Sequence, residues 1–212
     1  MPRRRISVLP AYSWDAAVNN YVDIASGKFV ARSEVLGLLD NVSESIGSTI
    51  GDLAAAAQRG DLTARQFYEG ARRTLKHGYN ADVAMGMGGW DRVTPAEWGR
   101  NGGHLNRQYE YLRNFAGEIE RGEVTEAQAA ARGRLYADGA HKRYWETHQE
   151  GMAAAGYTEE RWLTVGDASV CATCSGLEGL GAQPMGSLPT PPDPHMGCRC
   201  RKEFRQLEGR WE

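Results

Sequence analysis

Cysteine is missing from the first 170 residues, and all four lie between Cys171 and Cys200. A secreted disulfide scaffold scatters its bridges through the fold, so this distribution argues against that class and favours a local metal site. No apolar run approaches the length needed to span a bilayer. The basic start Met1-Pro2-Arg3-Arg4-Arg5-Ile6 is not followed by the apolar stretch of a secretory leader. The expectation is a soluble protein made in the cytoplasm, with no membrane partner. An excess of one charge is lacking as well: 25 Lys and Arg stand against 27 Asp and Glu, a net of -2. That balance argues against the broad positive field of non-specific nucleic-acid binding and leaves room for local basic patches. A glycine-rich phosphate loop, a Gly-x-Ser-x-Gly elbow and a His-Glu-x-x-His pair are also absent, and no enzyme is expected.

What is present, over 212 residues, is enough chain for one sizeable core and a small second module. Residues 1–12, with Arg3-Arg4-Arg5 and Pro10, have no period and are expected to be a basic arm, solvated or tethering an acidic partner surface or DNA. Helical periodicity then covers most of 13–156, the expected helical body. Ser13 caps a short helix through Trp14, Val18, Tyr21 and Val22, and Lys28-Phe29-Val30-Ala31-Arg32 is extended. Ser33 opens a helix whose stripe is Val35, Leu38, Leu39, Val42, Ile46, Ile50, Leu53 and Ala57, stopped at Gly60. Its Gly37, Gly47 and Gly51 are read as sites of close helix approach. Thr63 caps a third segment with Phe67, Tyr68, Ala71, Leu75 and Tyr79 inward and Arg65, Arg72, Arg73 and Lys76 on a solvated face. Met85-Gly86-Met87-Gly88-Gly89 breaks it, giving a flexible joint over 85–93.

Two capping boxes follow. Thr94-Pro95-Ala96-Glu97 starts a helix that Gly102-Gly103 is expected to interrupt before Leu105, Tyr109, Leu112, Phe115, Ala116 and Ile119 resume it. Thr125-Glu126-Ala127-Gln128 starts one long alanine-rich helix ending at Gly156. His77, His104, His141 and His148 sit singly and read as solvent-side or core-edge residues. After Tyr157 the chemistry changes. Residues 157–212 form the expected metal-binding module, with strands at Glu160–Val165 and Arg201–Arg205.

The span Ser175–Pro194 is too poor in periodic apolar residues to close on its own, so a metal is the natural fastener. Cys171 and Cys174 supply a Cys-x-x-Cys half-site at a strand-to-turn knuckle. His195, Cys198 and Cys200 are three candidates for the two remaining places of a tetrahedral zinc. A four-thiolate set is preferred, its charge offset by Arg199, Arg201 and Lys202, with His195 as outer-shell donor or alternative ligand. Two disulfides, or free thiols, are the bland alternatives, and a thioredoxin-like redox pair lacks its βαβ context. Surplus ligands point to a closed structural Zn2+ site rather than a catalytic one. Asp167 is expected only to cap a turn. A mostly α fold with a small, zinc-stapled, β-containing C-terminal module follows.

A body ending in Gly122-Glu123-Val124-Thr125-Glu126-Ala127-Gln128 and Arg132-Gly133-Arg134-Leu135-Tyr136-Ala137 precedes Trp162-Leu163-Thr164-Val165-Gly166-Asp167. Cys171-x-x-Cys174 and Pro192-Asp193-Pro194-His195-Met196-Gly197-Cys198-Arg199-Cys200 complete the pattern. It resembles the phage Mu F-like minor head proteins, the head-morphogenesis family of tailed phages, over roughly residues 105–205. The resemblance implies a minor capsid protein of the virion, portal-associated, acting in head assembly, DNA packaging or ejection. It implies metal ligands at Cys171, Cys174, His195, Cys198 and Cys200. Implied partners are a homo-oligomeric portal protein, the major capsid protein and packaged DNA; implied locations are the head interior and, during assembly, the host cytoplasm. Ala172 stands where relatives often carry proline, the chain is shorter than many of them, and the toxin or transferase extensions of some are lacking. Helical stripes such as Val35 to Ala57 are expected to dock on portal or capsid. The alternative is a zinc-containing, nuclease-like nucleic-acid-binding protein using Arg199, Arg201, Lys202 and Arg205 on phosphates.

Overall fold

The computed structural model describes residues 12–15, 20–23, 26–193, 195, 197–207 and 211. The basic arm falls almost wholly outside them. The order is β1 (Tyr12–Asp15), β2 (Asn20–Asp23), β3 (Phe29–Val30), α1 (Arg32–Gln58), α2 (Ala64–Gly86), a 3-10 turn at Trp90–Arg92, α3 (Pro95–Glu120), α4 (Glu126–Arg134), α5 (Tyr136–Ala154), β4 (Glu159–Leu163), α6 (Ala172–Gly179), β5 (Gln183–Pro184) and β6 (Arg201–Arg205). The chain is mostly helical, with a small C-terminal sheet, as the periodicity predicts.

The α1 to α5 stripes meet in one core: Val42, Ile46 and Ile50 of α1, Phe67, Leu75 and Tyr79 of α2, Leu112 and Phe115 of α3, Ala129 of α4 and Ala140 of α5. Burying apolar faces spaced at three and four residues against one another is the main drive for this packing. The stripe expected to dock on a partner is therefore covered from within: Val35, Leu39, Val42, Ile46, Ile50 and Ala57 are all buried. Close approach explains two of the three α1 glycines. A Cβ on Gly51 would lie 2.9 Å from the Ala130 carbonyl oxygen, and one on Gly47 3.1 Å from that of Arg134, whereas Gly37 faces open space.

Several boundaries differ from the sequence reading. The expected first helix is a pair of antiparallel strands, with Trp14 opposite Tyr21 and Ser13 opposite Val22, and Val18 lies outside the described residues. Tyr, Trp, Val and Phe are abundant from Tyr12 to Val30, a composition that fits a pleated surface better than a helix, and β3 pairs onto β2 as the third strand. α1 starts at Arg32 with Ala31 at its cap position and no side-chain cap, because β3 runs straight into it. Gly102 and Gly103 do not interrupt α3, which is continuous over 26 residues; neither glycine has a neighbour within 4 Å of a would-be Cβ. Thr94 caps α3 as expected, but the Glu97 carboxylate is turned inward, fully buried, and pairs with Arg143 at 2.6 Å and with Arg100.

The single helix expected after Thr125 is broken at Leu135 into α4 and α5. Gly133 is the reason: a Cβ there would stand 2.7 Å from the Gly51 backbone, so α4 crosses α1 nearly backbone to backbone and the chain must turn before α5 can pack on α2. α2 stops where the glycines predict, and Gly88 and Gly89 take φ of 80° and 146°.

A second core joins the two ends of the chain. Tyr21 and Val30 from the first sheet, Val35, Leu36 and Leu39 of α1, Tyr144, Trp145 and Met152 of α5, Tyr157 and Phe204 of β6 pack together. The C-terminal sheet thus sits on α1 and α5 through Phe204. No helix among the described residues is long and apolar enough to cross a membrane.

Candidate metal centre

β4 and β6 pair antiparallel, with Glu160 opposite Phe204 and Trp162 opposite Lys202. Both predicted strands exist, and β5 adds a short third on the other edge of β4. Side chains in a strand alternate between faces. Here Cys198, Cys200, Lys202 and Phe204 are buried while Arg199 is exposed and Arg201 and Glu203 are half-exposed. The alternation turns the last two cysteines inward together, where Trp162 and Leu188 pack around them with Cys174.

The first cysteine pair is placed by a helix terminus rather than a strand-to-turn knuckle. Cys171 is the N-cap of α6, and its sulfur accepts the Cys174 N–H at 3.4 Å. That hydrogen bond, first among several influences, pulls the Cys171 thiol down to about 7. Burial pushes the Cys174 and Cys198 thiols the other way, up from the usual thiol range. A bound cation reverses such a penalty, since metal ligation favours the thiolate.

All five predicted ligands converge. The ligand atoms of Cys171, Cys174 and His195 lie within 4.8 Å of one another, and so do those of Cys174, Cys198 and Cys200. Cys174 belongs to both sets: its sulfur is 3.3 Å from His195 Nε2 and 3.6 Å from the Cys198 sulfur. The four cysteines are thiols, not disulfides. Thiolate and imidazole donors meeting in a largely buried place suit a metal ion, and the donor set can hold one.

Four features outside the ligand set hold this place, and sequence reasoning missed them. Lys202 and Glu160 are both completely buried, 2.8 Å apart. Glu160 accepts the Leu188 N–H at 2.6 Å and Lys202 donates to the Leu188 carbonyl at 3.0 Å, so the pair grips the long 180–193 loop. Lys202 also donates to Gln149 of α5 at 2.7 Å. On the other side, Asp138 of α5 accepts the Gly197 N–H at 2.9 Å and Lys142 pairs with Asp193 at 2.5 Å. The strand period was the available signal for Lys202, since it places that residue on the face of Cys198 and Cys200.

The cations expected to offset thiolate charge are committed elsewhere. Arg199 pairs with Asp167 at 2.7 Å, Arg201 with Asp40 at 3.0 Å and Lys202 with Glu160. With Arg205 paired to Glu159, the whole set assigned to phosphates in the nucleic-acid alternative is occupied as well. Asp167 does cap its turn, accepting the Ser169 N–H at 3.0 Å. His141 and His148 stand apart from the cysteines: burial pushes His141 down to about 4, and it accepts the Trp145 N–H at 3.0 Å, while His148 stacks on Tyr144.

Beside the centre, a cavity of about 630 Å³ runs between α3, the α4–α5 elbow and the loop carrying His195. Its charged lining is largely satisfied internally, Arg132 by Glu118, Lys142 by Asp193 and Asp138 by Gly197. Comparisons with family models, curated proteins and solved structures return no match for this chain.

Proposed function

We propose that this chain is a structural and interaction protein of a tailed-phage head, a minor capsid component held near the portal and acting in head assembly, DNA packaging or ejection. The observation that carries the reading is the convergence of Cys171, Cys174, His195, Cys198 and Cys200, the residues that carry the resemblance to Mu F-like head proteins, onto one place in the tail. Zn2+ is the metal proposed there, since four thiols and an imidazole suit it and five donors for four positions leave none open to water. Its role is to fasten: the module is too small to be stable on apolar burial alone. With the α1 stripe used internally, the contact surface for portal or coat lies among residues that remain exposed, such as Tyr111, Leu135 and Trp90.

The test is co-expression with the portal and coat proteins of the same genome, with heads purified and their minor components identified. The chain is expected in those heads in few copies, and Cys174→Ser is expected to reduce its incorporation. Heads that form, package and eject normally without the chain, and never contain it, would overturn the proposal.

A further inference from the structure

With the cations of the tail taken up by carboxylates, the unpaired positive charge of the described residues is concentrated elsewhere. α2 and α3 lie side by side and exchange guanidinium groups. Arg72 of α2 lies over the Tyr109 ring of α3 at 4.8 Å, and Arg113 of α3 lies over the Tyr68 ring of α2 at 5.8 Å. Each contact sets a cation against an aromatic ring, and Arg72 is also hydrogen-bonded to the Tyr109 side chain. A guanidinium carries five N–H donors, so one such bond leaves others for a ligand. Arg73 and Lys76 extend the patch along α2, and all four cations are exposed. Among the described residues no carboxylate pairs with Arg72, Arg73, Lys76 or Arg113. Of the nearby acids, Glu69 is taken by Arg65 at 2.9 Å, which leaves Glu110 as the one exposed acid beside Tyr109.

We propose that the α2–α3 face, built on Arg72, Arg73, Lys76 and Arg113 with Tyr68 and Tyr109, is a docking surface for the phosphate backbone of duplex DNA. Tyr68 to Lys76 covers roughly 12 Å of helix axis at 1.5 Å per residue. Duplex DNA presents about seven phosphates over that length, at one charge per 1.7 Å. Three of the four cations are arginines, whose forked donors suit phosphate oxygens, and two of them lie against aromatic rings of the neighbouring helix. An acidic protein surface is the competing occupant; it offers fewer, unevenly spaced anions. The surface is small and sequence-blind, in keeping with a chain whose overall charge is nearly balanced. The inference uses neither the cysteines nor the head assignment, so it stands or falls separately from both.

The experiment is fluorescence anisotropy of the purified full chain against a labelled duplex, read as a function of salt. Four neutralised phosphates give a log–log slope near -3.6, so affinity falls about 150-fold between roughly 50 and 200 mM salt. Arg72→Gln with Lys76→Gln should halve the slope, reducing that fall to about 12-fold. Arg73→Gln with Arg113→Gln gives an independent pair on the two helices, should the first pair disturb folding, and Lys28→Gln, at an exposed cation away from this face, should change nothing. No binding by the parent chain at the lower salt would overturn the proposal. So would an unchanged slope in both double variants, or poly-glutamate of equal charge competing as well as the duplex.

Discussion

Lys202 donates to Glu160 at 2.8 Å with both side chains fully out of water, and the same two groups take up the N–H and the carbonyl of Leu188. An isolated buried charge is costly, while a buried pair with all its hydrogen bonds made is tolerated. Lys202→Met should therefore cost about 3–5 kcal/mol, because Glu160 is left buried without its counter-charge. Lys202→Met with Glu160→Leu should recover part of that loss and remain below the parent by about 1–3 kcal/mol, the cost of stranding the backbone groups of Leu188. Urea unfolding gives the three stabilities. Hydrogen exchange should show protection lost around Leu188 and unchanged in α1 to α3. A double variant no better than the single would mean that the two charges do not act as a pair.

Glycines in the helical body should respond to alanine in opposite directions. Gly133 meets the Gly51 backbone at 2.7 Å from a would-be Cβ, so Gly133→Ala must push α4 away from α1, at a cost of about 3 kcal/mol. Gly102 is helical with open space around it, and Gly102→Ala should stabilise by up to about 1 kcal/mol. Thermal melts should move down in the first case and up in the second. Equal shifts would refute the packing account of the elbow at Leu135.

The helical body was legible because its stripes repeat every three or four residues and its caps are local: Thr63, Thr94 and Thr125 each receive the N–H of the third helical residue, as their sequence pattern predicts. The cluster of Cys and His donors was legible for a similar reason, since all five sit in two short motifs. What escaped was set by partners distant in the chain. The break at Leu135 depends on Gly51, some eighty residues away, and no local signal announces it. Strands β1 and β2 are stabilised by packing of Tyr21 on Tyr144 and its neighbours, which overrides a short helical period. Lys202 carries a charge, and counting charges as solvent-facing hides a buried one whose partner is forty residues upstream.

Asp82 is completely buried on α2, and neither carboxyl oxygen has a hydrogen-bond partner among the described residues. Burial holds its carboxyl well above the usual range, so the folded protein keeps the proton that the unfolded chain gives up. A group whose proton is held more tightly in the fold contributes stability below its unfolded pKa and loses it as pH rises through the folded value. Asp82→Asn should accordingly leave stability near pH 4 little changed and raise it increasingly toward pH 8. His141, held down to about 4, works in the opposite sense below neutrality and cancels when the two proteins are compared at each pH. A variant gain that is the same across the range would show that Asp82 does not titrate with folding.

Metal ligation at the tail should depend unequally on its five donors, because Cys174 alone belongs to both sets of three converging atoms. With five donors for about four positions, losing an outer one leaves a usable set. His195→Ala should therefore still bind about one ion per chain, more weakly, whereas Cys174→Ser should bind close to none. The centre packs with Trp162 and Leu188 and not with the core of α1 to α5. Chelation should thus erase the near-ultraviolet signal of Trp162 and lower the melting temperature of the tail while helical circular dichroism persists. Elemental analysis of the purified proteins, followed by titration with a chelator, measures both effects. If His195→Ala and Cys174→Ser lose metal alike, all donors act as one closed shell and the five-for-four account is wrong. If no variant changes a metal content that is already negligible, the cysteines are thiols packed for bulk, and the long loop relies on Lys202 and Glu160 for its closure.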